Sequence, residues 1–308
     1  MKAALLERFG GPEVLKYGDL PDPVAQPGEV VVDVHAASVN AADWKFRAGE
    51  YARHAQSTFP RVPGRDFSGV VSAAGAGADL KVGDAVFGVL EAGQEGTYCE
   101  KIAIKAAIIA KKPEALSHVN AAALALTGLT AMDSLEGVLK LKRGETILIQ
   151  GGAGGVAGFA IQLARHIGAR VITTTSAANR DYVRSLGADE VIDYNAQDFT
   201  KVVHDCDAVF ETVGGDVALK SFAVLKPGGR AAFIASGAQA PQPDRADVTA
   251  LRPPVKRARA PLERIAQLYL SGAVRAPEVK LYRLAEAADA HRLSESRHFR
   301  GKLVFQVR

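Results

Sequence analysis

Seven residues constrain this chain more than any others: Gly151-Gly152-Ala153-Gly154-Gly155-Val156-Ala157. They follow Glu145-Thr146-Ile147-Leu148-Ile149-Gln150, an apolar, β-branched stretch that predicts a strand. They precede a segment in which Val156, Ala160, Leu163, Ala164 and Ile167 share one helical face and Gly168 supplies a stop. A strand that turns into a helix through clustered glycines has the form of a dinucleotide-binding turn. Gly152, Ala153, Gly154 and Ala157 satisfy G-x-G-x-x-G/A. Gly152 permits the tight turn, Gly154 lets the backbone approach a pyrophosphate, and Ala157 keeps the helix near the sheet. The helix N-terminus then turns N–H groups and a positive dipole end toward phosphates. Gly152, Ala153, Gly154, Gly155 and Val156 are therefore candidate cofactor contacts.

The same texture continues downstream. Strands are expected at Val171 to Thr175, Val191 to Asp193, Ala208 to Glu211 and Arg230 to Ala235, and helices at Asn179 to Leu186 and Val217 to Leu225. This alternation predicts a parallel sheet with helices on both faces. Upstream, Ser117 is placed to cap a helix through Leu126, and a second helix is expected from Gly128 to Leu139. Residues 1 to about 115 read differently, as short strands (Val30 to His35, Phe67 to Ala73, Ala85 to Leu90, Tyr98 to Ile104) separated by Pro and Gly. The β texture returns after about residue 275 and ends in Gly301-Lys302-Leu303-Val304-Phe305-Gln306-Val307. The expected architecture is α/β, a doubly wound Rossmann sheet over 122–265 inserted into a β-barrel domain made of 1–121 and 266–308. Pro241 to Pro254 is the expected mobile loop.

Composition excludes several alternatives. With 48% hydrophobic and 23% charged residues, 308 residues make a core large enough for two domains. Two distant cysteines, Cys99 and Cys206, do not make a disulfide scaffold. A net charge of +4 demands no nucleic-acid partner. No apolar run is long enough to span a bilayer and no signal peptide is visible, so a cytoplasmic protein is expected.

The nucleotide is read from the second strand. NAD sites place an acid at its end, about 20 residues past the glycines, to bind the ribose 2′-OH. This strand ends Thr173-Thr174-Thr175-Ser176, with no acid. Ser176 can donate to a 2′-phosphate, Arg180 four residues on can bind one with its planar fork, and Thr174 is a further candidate contact. NADPH is the expected cofactor.

Several motifs, in order and spacing, resemble the medium-chain dehydrogenase/reductase superfamily over nearly the whole chain. They include Gly11-Pro12-Glu13-Val14-Leu15, Ser38-Val39-Asn40-Ala41-Ala42-Asp43-Trp44-Lys45, Val62-Pro63-Gly64-Arg65-Asp66-Phe67-Ser68-Gly69, Leu126-Thr127-Gly128-Leu129-Thr130-Ala131, Glu211-Thr212-Val213-Gly214-Gly215 and Arg300-Gly301-Lys302-Leu303-Val304. The resemblance implies a GroES-like β domain, a Rossmann domain, a cleft between them, and a homodimer joined through the strand around Val248 to Leu251. Zinc alcohol dehydrogenases of that superfamily carry a Cys near position 40 and Gly-His-Glu near 65. This chain has Asn40 and Gly64-Arg65-Asp66, and no Cys in 91–98, so no metal is expected. Asn40 is implied to lie near the nicotinamide ribose and substrate, Lys45 is a candidate cation there, and Arg47 and Tyr51 are candidates for the cleft mouth. Thr127 resembles a residue at the nicotinamide end, and Tyr194 one beside the adenosine 2′-phosphate. Val213, Gly214, Phe233, Ile234 and Ala235 follow the fourth and fifth Rossmann strands, where the cofactor crosses.

The resemblance to zinc-independent quinone and enone oxidoreductases implies hydride transfer from NADPH to a quinone or an α,β-unsaturated carbonyl. Two other readings are open. An enoyl-thioester reductase would share the hydride step. Alternatively, the basic stretch Arg252, Lys256, Arg257, Arg259 and Arg264 would serve an NADPH-binding module that docks RNA or protein.

Overall fold

The computed structural model describes residues 1–50, 58–91, 94, 96–237 and 239–308. In chain order, β1 (Lys2–Leu6), β2 (Leu15–Asp19) and β3 (Glu29–Val39) lead into α1 (Ala41–Ala48). They are followed by β4 (Asp66–Ala74), β5 (Ala85–Val89), β6 (Lys101–Lys105) and β7 (Ala110–Lys111). After α2 (His118–Met132) come β8 (Thr146–Ile149), α3 (Gly155–Ile167), β9 (Arg170–Thr175), α4 (Arg180–Ser185) and β10 (Glu190–Asp193). Then come α5 (Phe199–Val202), β11 (Cys206–Glu211), α6 (Asp216–Lys220), β12 (Leu225–Phe233) and β13 (Thr249–Leu251). The chain closes with α7 (Arg259–Leu270), β14 (Val279–Tyr282), α8 (Ala287–Ser296) and β15 (Lys302–Gln306).

Two units result. The first comprises Met1–Leu126, Arg257–Leu270 and Ala276–Arg308; the second comprises Thr127–Lys256 and Ser271–Arg275.

In the first unit a sheet runs in the order β14-β15-β3-β4-β5-β7, with β6 also on β3. The long strand β3 organises it, because Val30, Val32, Val34, Ala37 and Val39 all enter the core. Its antiparallel register with β4 sets Ser38 opposite Asp66, and its register with β15 sets Val39 opposite Leu303. Those two pairings bring Asn40, Asp66 and Lys302 to one end of the sheet. In the second unit six parallel strands take the order β10-β9-β8-β11-β12-β13. Counted along the chain this is 3-2-1-4-5-6, and direction reverses between β8 and β11, the switch point where such sheets bind ligands.

Three local expectations change. The helix break expected near Gly128 does not occur: α2 runs through it and continues as a π turn, Asp133–Val138. A mid-helix glycine costs only about 1 kcal/mol, and burial of nearly every residue from Ala121 to Met132 outweighs it. The β-rich N-terminal segment also contains α1, which starts where Asp43 accepts from the Asn40 backbone N–H at 2.8 Å. The C-terminal segment contains α8, whose buried face carries Ala287, Ala290, His291 and Ser294.

Candidate nucleotide and active-site residues

The glycine loop is held from below by neutral side chains. Thr174 Oγ donates to Gln150 Oε1 at 2.6 Å and accepts from the Gly151 N–H at 3.1 Å. The Gly152 N–H donates to Thr174 O at 2.9 Å. Thr174 is thus 3% exposed and supports the loop with its side chain instead of presenting it to a cofactor. A Cβ on Gly152 would come within 2.3 Å of Thr173 Oγ1, which is itself tied to Ile149 O, so this glycine is demanded by packing. Gly154 is different. A Cβ there would meet only Gly151 O, at 3.5 Å, so the space above it is open. Gly154 also caps α3, and no side chain bonds the first N–H groups of this 13-residue helix. An open, glycine-lined cradle at a helix N-terminus fits a pyrophosphate.

The neighbouring strand ends gather beside it. Thr212 Oγ1 donates to Gln150 O at 2.8 Å. Buried Glu211 accepts from the Val213 and Gly214 N–H groups at 2.6 and 2.8 Å. A Cβ on Gly214 would lie 3.0 Å from Ala235 O, so these two loops touch. Val213, Gly214, Ile234 and Ala235 are partly accessible at this edge. Phe233 is not: its ring is fully buried, 5.2 Å from that of Phe222, because it closes the core under β12. Thr127 is likewise 1% exposed within α2.

At the other side of the loop, the β9–β10 register pairs Asp193 with Thr175, which sets Tyr194 beside Ser176. Tyr194 is 56% exposed. Ser176 Oγ accepts from Asn179 Nδ2 at 3.2 Å, leaving its own hydrogen to donate outward. Arg180 is exposed and forms no ion pair among the described residues. A hydroxyl donor, a guanidinium without an ion pair among the described residues and an exposed phenol ring therefore stand together at the carboxyl ends of β9 and β10.

The first unit holds a second polar cluster, around Asn40. Asn40 Nδ2 donates to Asp66 Oδ1 at 3.1 Å, and Asn40 Oδ1 accepts from Lys302 Nζ at 2.8 Å. Lys302 Nζ also donates to Val39 O at 2.7 Å. Ser38 Oγ donates to Asp66 at 2.8 Å, and the Tyr98 hydroxyl donates to Asp43 Oδ2 at 2.7 Å. The Arg65 guanidinium lies 3.6 Å from the other oxygen of Asp43. Asp43 and Asp66 are fully buried and Lys302 is 4% exposed. Burial pushes the Asp66 carboxyl up to about 6; Lys302 pulls against that shift and Asp43 adds to it. Burial also raises Asp43 and lowers Lys302, the latter opposed by both carboxylates. In the sequence Asp43, Asp66 and Lys302 stand only as motif residues with no assigned role. The available signal was a lone lysine heading the apolar strand Leu303-Val304-Phe305 and an aspartate preceding Phe67.

This donor set does not suit a transition metal. It offers no thiolate or imidazole, and an ammonium already bonds Asn40. Among the described residues no three His, Cys, Asp or Glu side chains converge as metal ligands. Burial pushes both Cys99 and Cys206 up to about 12, so neither is a thiolate.

Other candidates separate. Lys45 sits over the Trp44 ring at 5.6 Å and 3.8 Å from Glu50. Arg47 is no cleft-mouth residue: it is fully buried and donates to Glu295 at 3.0 Å, because α1 packs that face on α8. Tyr51 lies outside the described residues. The basic stretch is divided: Arg252 and Lys256 are exposed, and Arg257, Arg259 and Arg264 are partly buried. Arg252 donates to Phe233 O, Arg257 to Leu90 O, and Arg259 to Ala106 O and Ile109 O, at 2.6–2.9 Å.

Known proteins agree with this architecture. The family described as "Alcohol dehydrogenase GroES-like domain" matches residues 26–114, and that described as "Zinc-binding dehydrogenase" matches residues 186–305. An NADPH-dependent alkenal/one oxidoreductase of Arabidopsis thaliana is 33% identical over 317 residues, covering 99% of this chain and 79% of that protein. A 2-methylene-furan-3-one reductase of Solanum lycopersicum is 36% identical over 260 residues, which are 81% of this chain and 66% of that protein. The chain therefore spans about two thirds of the length of the tomato relative. The quinone oxidoreductase structure from Coxiella burnetii superposes with a TM-score of 0.94 at 34% identity, covering 100% of this chain and 99% of that one. Fold, glycine turn and relatives converge, and the chain belongs to the medium-chain dehydrogenase/reductase superfamily.

Proposed function

We propose that this protein is an NADPH-dependent, zinc-independent reductase of quinones or α,β-unsaturated carbonyl compounds. One observation carries the reading: an open, uncapped glycine cradle at the switch point of a 3-2-1-4-5-6 sheet, flanked by Ser176, Arg180 and Tyr194. The relatives named for NADPH-dependent alkenal reduction and for quinone reduction support it.

Backbone N–H groups of Gly155 and Val156 bind the pyrophosphate, while Ala153 and Gly154, whose own N–H donates to Gly151 O at 3.0 Å, line the turn. Ser176 and Arg180 bind the 2′-phosphate, with Tyr194 against the adenosine. Val213, Gly214, Ile234 and Ala235 offer backbone along the carboxyl ends of β11 and β12. NADPH, when bound, supplies a hydride to an electrophilic carbon of the substrate. The two electrons so added leave negative charge on the substrate oxygen, and that oxygen needs a hydrogen-bond donor. Asn40 provides one. One of its Nδ2 hydrogens is committed to Asp66, while the other meets only long contacts to Ser38 O at 3.4 Å and Asp43 at 3.5 Å. Lys45, 3.8 Å from Glu50, is the candidate cation toward the substrate. The Tyr98 hydroxyl is spent on Asp43, so water delivers the proton.

The relatives named for alkenal and quinone reduction favour this reading over an enoyl-thioester reductase or an RNA-docking module. We also propose a homodimer joined through the edge strand β13, and a cytoplasmic location. No helix among the described residues is long and apolar enough to cross a membrane.

The reading is tested by following NADPH and NADH oxidation with 1,4-quinones, alkenals and enoyl thioesters. NADPH-dependent turnover of a quinone or an alkenal is expected. Strong preference for NADH, or turnover of thioesters alone, would overturn it.

A further inference from the structure

We infer that Lys302 is a positioning residue that converts Asn40 into a one-sided, strengthened hydrogen-bond donor toward the substrate oxygen. The inference rests on the assignment of Asn40 to the substrate site and goes beyond it.

The orientation of an asparagine amide is set by its partners. Here both ends are gripped. An ammonium can only donate, so Lys302 requires the Asn40 oxygen on its side, at 2.8 Å. A carboxylate can only accept, so Asp66 requires the amino group on the other side, at 3.1 Å. Reversing the amide would set donor against donor and acceptor against acceptor in a buried place, forfeiting two charge-assisted bonds. Asn40 therefore keeps its N–H groups on the Asp66 side, where the second N–H meets only the long contacts to Ser38 O and Asp43 and can turn to a bound oxygen. Such a group suits an oxygen that only accepts and gains charge as hydride arrives.

The lysine's own choice of partners is informative. It lies buried near two carboxylates that both raise its proton affinity, yet its hydrogen bonds go to two neutral oxygens, those of Val39 and Asn40. A cation on an amide oxygen draws electron density from the nitrogen and makes the remaining N–H a stronger donor. Charge buried away from substrate is thus passed to it through a neutral group. The registers that create this contact are Val39 against Leu303 and Ser38 against Asp66, so the fold itself fixes the geometry.

The rival role is plain charge balance for Asp43 and Asp66. The charge-balanced double variant Lys302→Met/Asp66→Asn separates the two, assayed with NADPH and 1,4-benzoquinone beside Asn40→Ala. The double variant should bind NADPH as the wild type does, with kcat lower by about tenfold or more and KM for the quinone within about twofold. Adding Asn40→Ala to it should cost nothing further. Wild-type kcat in the double variant, with Asn40→Ala impaired, would overturn this inference alone. Wild-type kcat in Asn40→Ala would overturn the assignment of Asn40 itself.

The pH profile keeps the question open to test if the double variant does not fold. The charged groups around Lys302 are Asp66 on β4, Asp43 on α1 and, beside Asp43, Arg65. Wild-type kcat should fall as alkali neutralises Lys302 below its ordinary 10.5, and Asn40→Ala should lack that limb. An identical limb in both proteins would overturn the inference.

Discussion

The phosphate cradle of the second unit and the Asn40 cluster of the first are built from opposite materials. The cradle is backbone, shaped by glycines and propped by the neutral Gln150, Thr173, Thr174 and Thr212. The cluster is side chain, with Asp43, Asp66 and Lys302 all withdrawn from water. Backbone dipoles need no desolvation of a full charge and do not titrate, so the cradle is limited by shape. Buried charges are costly to desolvate and are stable only when matched. Steric changes should therefore damage the first kind of site and charge changes the second.

The largest effect should come from unbalancing the cluster. Lys302→Met leaves buried Asp66 without its cation, Asp43 keeping Arg65, and should cost about 3–5 kcal/mol in urea unfolding. Adding Asp66→Asn should restore much of it. If Lys302→Met proves as stable as the wild type, the cluster is not the matched system described.

Next comes a contrast within the cradle. Gly154→Ala adds a methyl where only open space exists, so stability should change by less than about 1 kcal/mol while NADPH affinity falls about 100-fold. Gly152→Ala drives a methyl into Thr173 and should also cost about 1–3 kcal/mol of stability. Fluorescence titration and thermal melts read the two effects separately; equal stability losses would erase the distinction.

A smaller effect is expected at the nucleotide's phosphate end. Arg180→Ala should raise KM for NADPH about tenfold and leave KM for NADH unchanged. Parallel changes for both nucleotides would remove Arg180 from the 2′-phosphate.

The smallest is a pair of opposed pH slopes in the first unit. His291, buried under the Tyr98 ring, is pushed down to about 3 by burial and the nearby Arg47. Its folded value lies below the unfolded 6.5, so its contribution is complete above 6.5 and is lost as pH falls toward 3. Asp66 runs the other way: raised from 3.8 to about 6, its contribution is complete below 3.8 and is lost as pH rises through 6. His291→Phe keeps the ring contact, removes two buried unpartnered nitrogens and should gain about 1 kcal/mol at neutral pH. It should also flatten the acid slope, whereas Asp66→Asn should flatten the opposite one. Unchanged slopes in both variants would deny the cluster its titrating character.

The same contrast explains what could be read from sequence. The cradle is contiguous: strand, glycines and helix occupy residues 146–167, and their chemistry is local. The Asn40 cluster draws on residues 38–43, 65–66, 98 and 302, joined by the pairing of β3 with β4 and β15 and by the backbone bonds of Tyr98 to Ala4 and Pro63. Nothing in the local sequence states that register. Exposure was misjudged for the same reason. Arg47 read as surface charge because the group that receives it, Glu295, is remote in sequence. Residues 126–128 read as a break between two helices because burial by distant residues does not show in a short window.

Direct hydride delivery is the central claim, and isotope transfer tests it most directly. NADPH deuterated on the transferring face of nicotinamide C4 would be mixed with the protein and an alkenal, and the product analysed by mass spectrometry. The prediction is one deuterium on the β-carbon of the saturated product. A product whose β-hydrogen comes from solvent, or no reduced product at all, would contradict it.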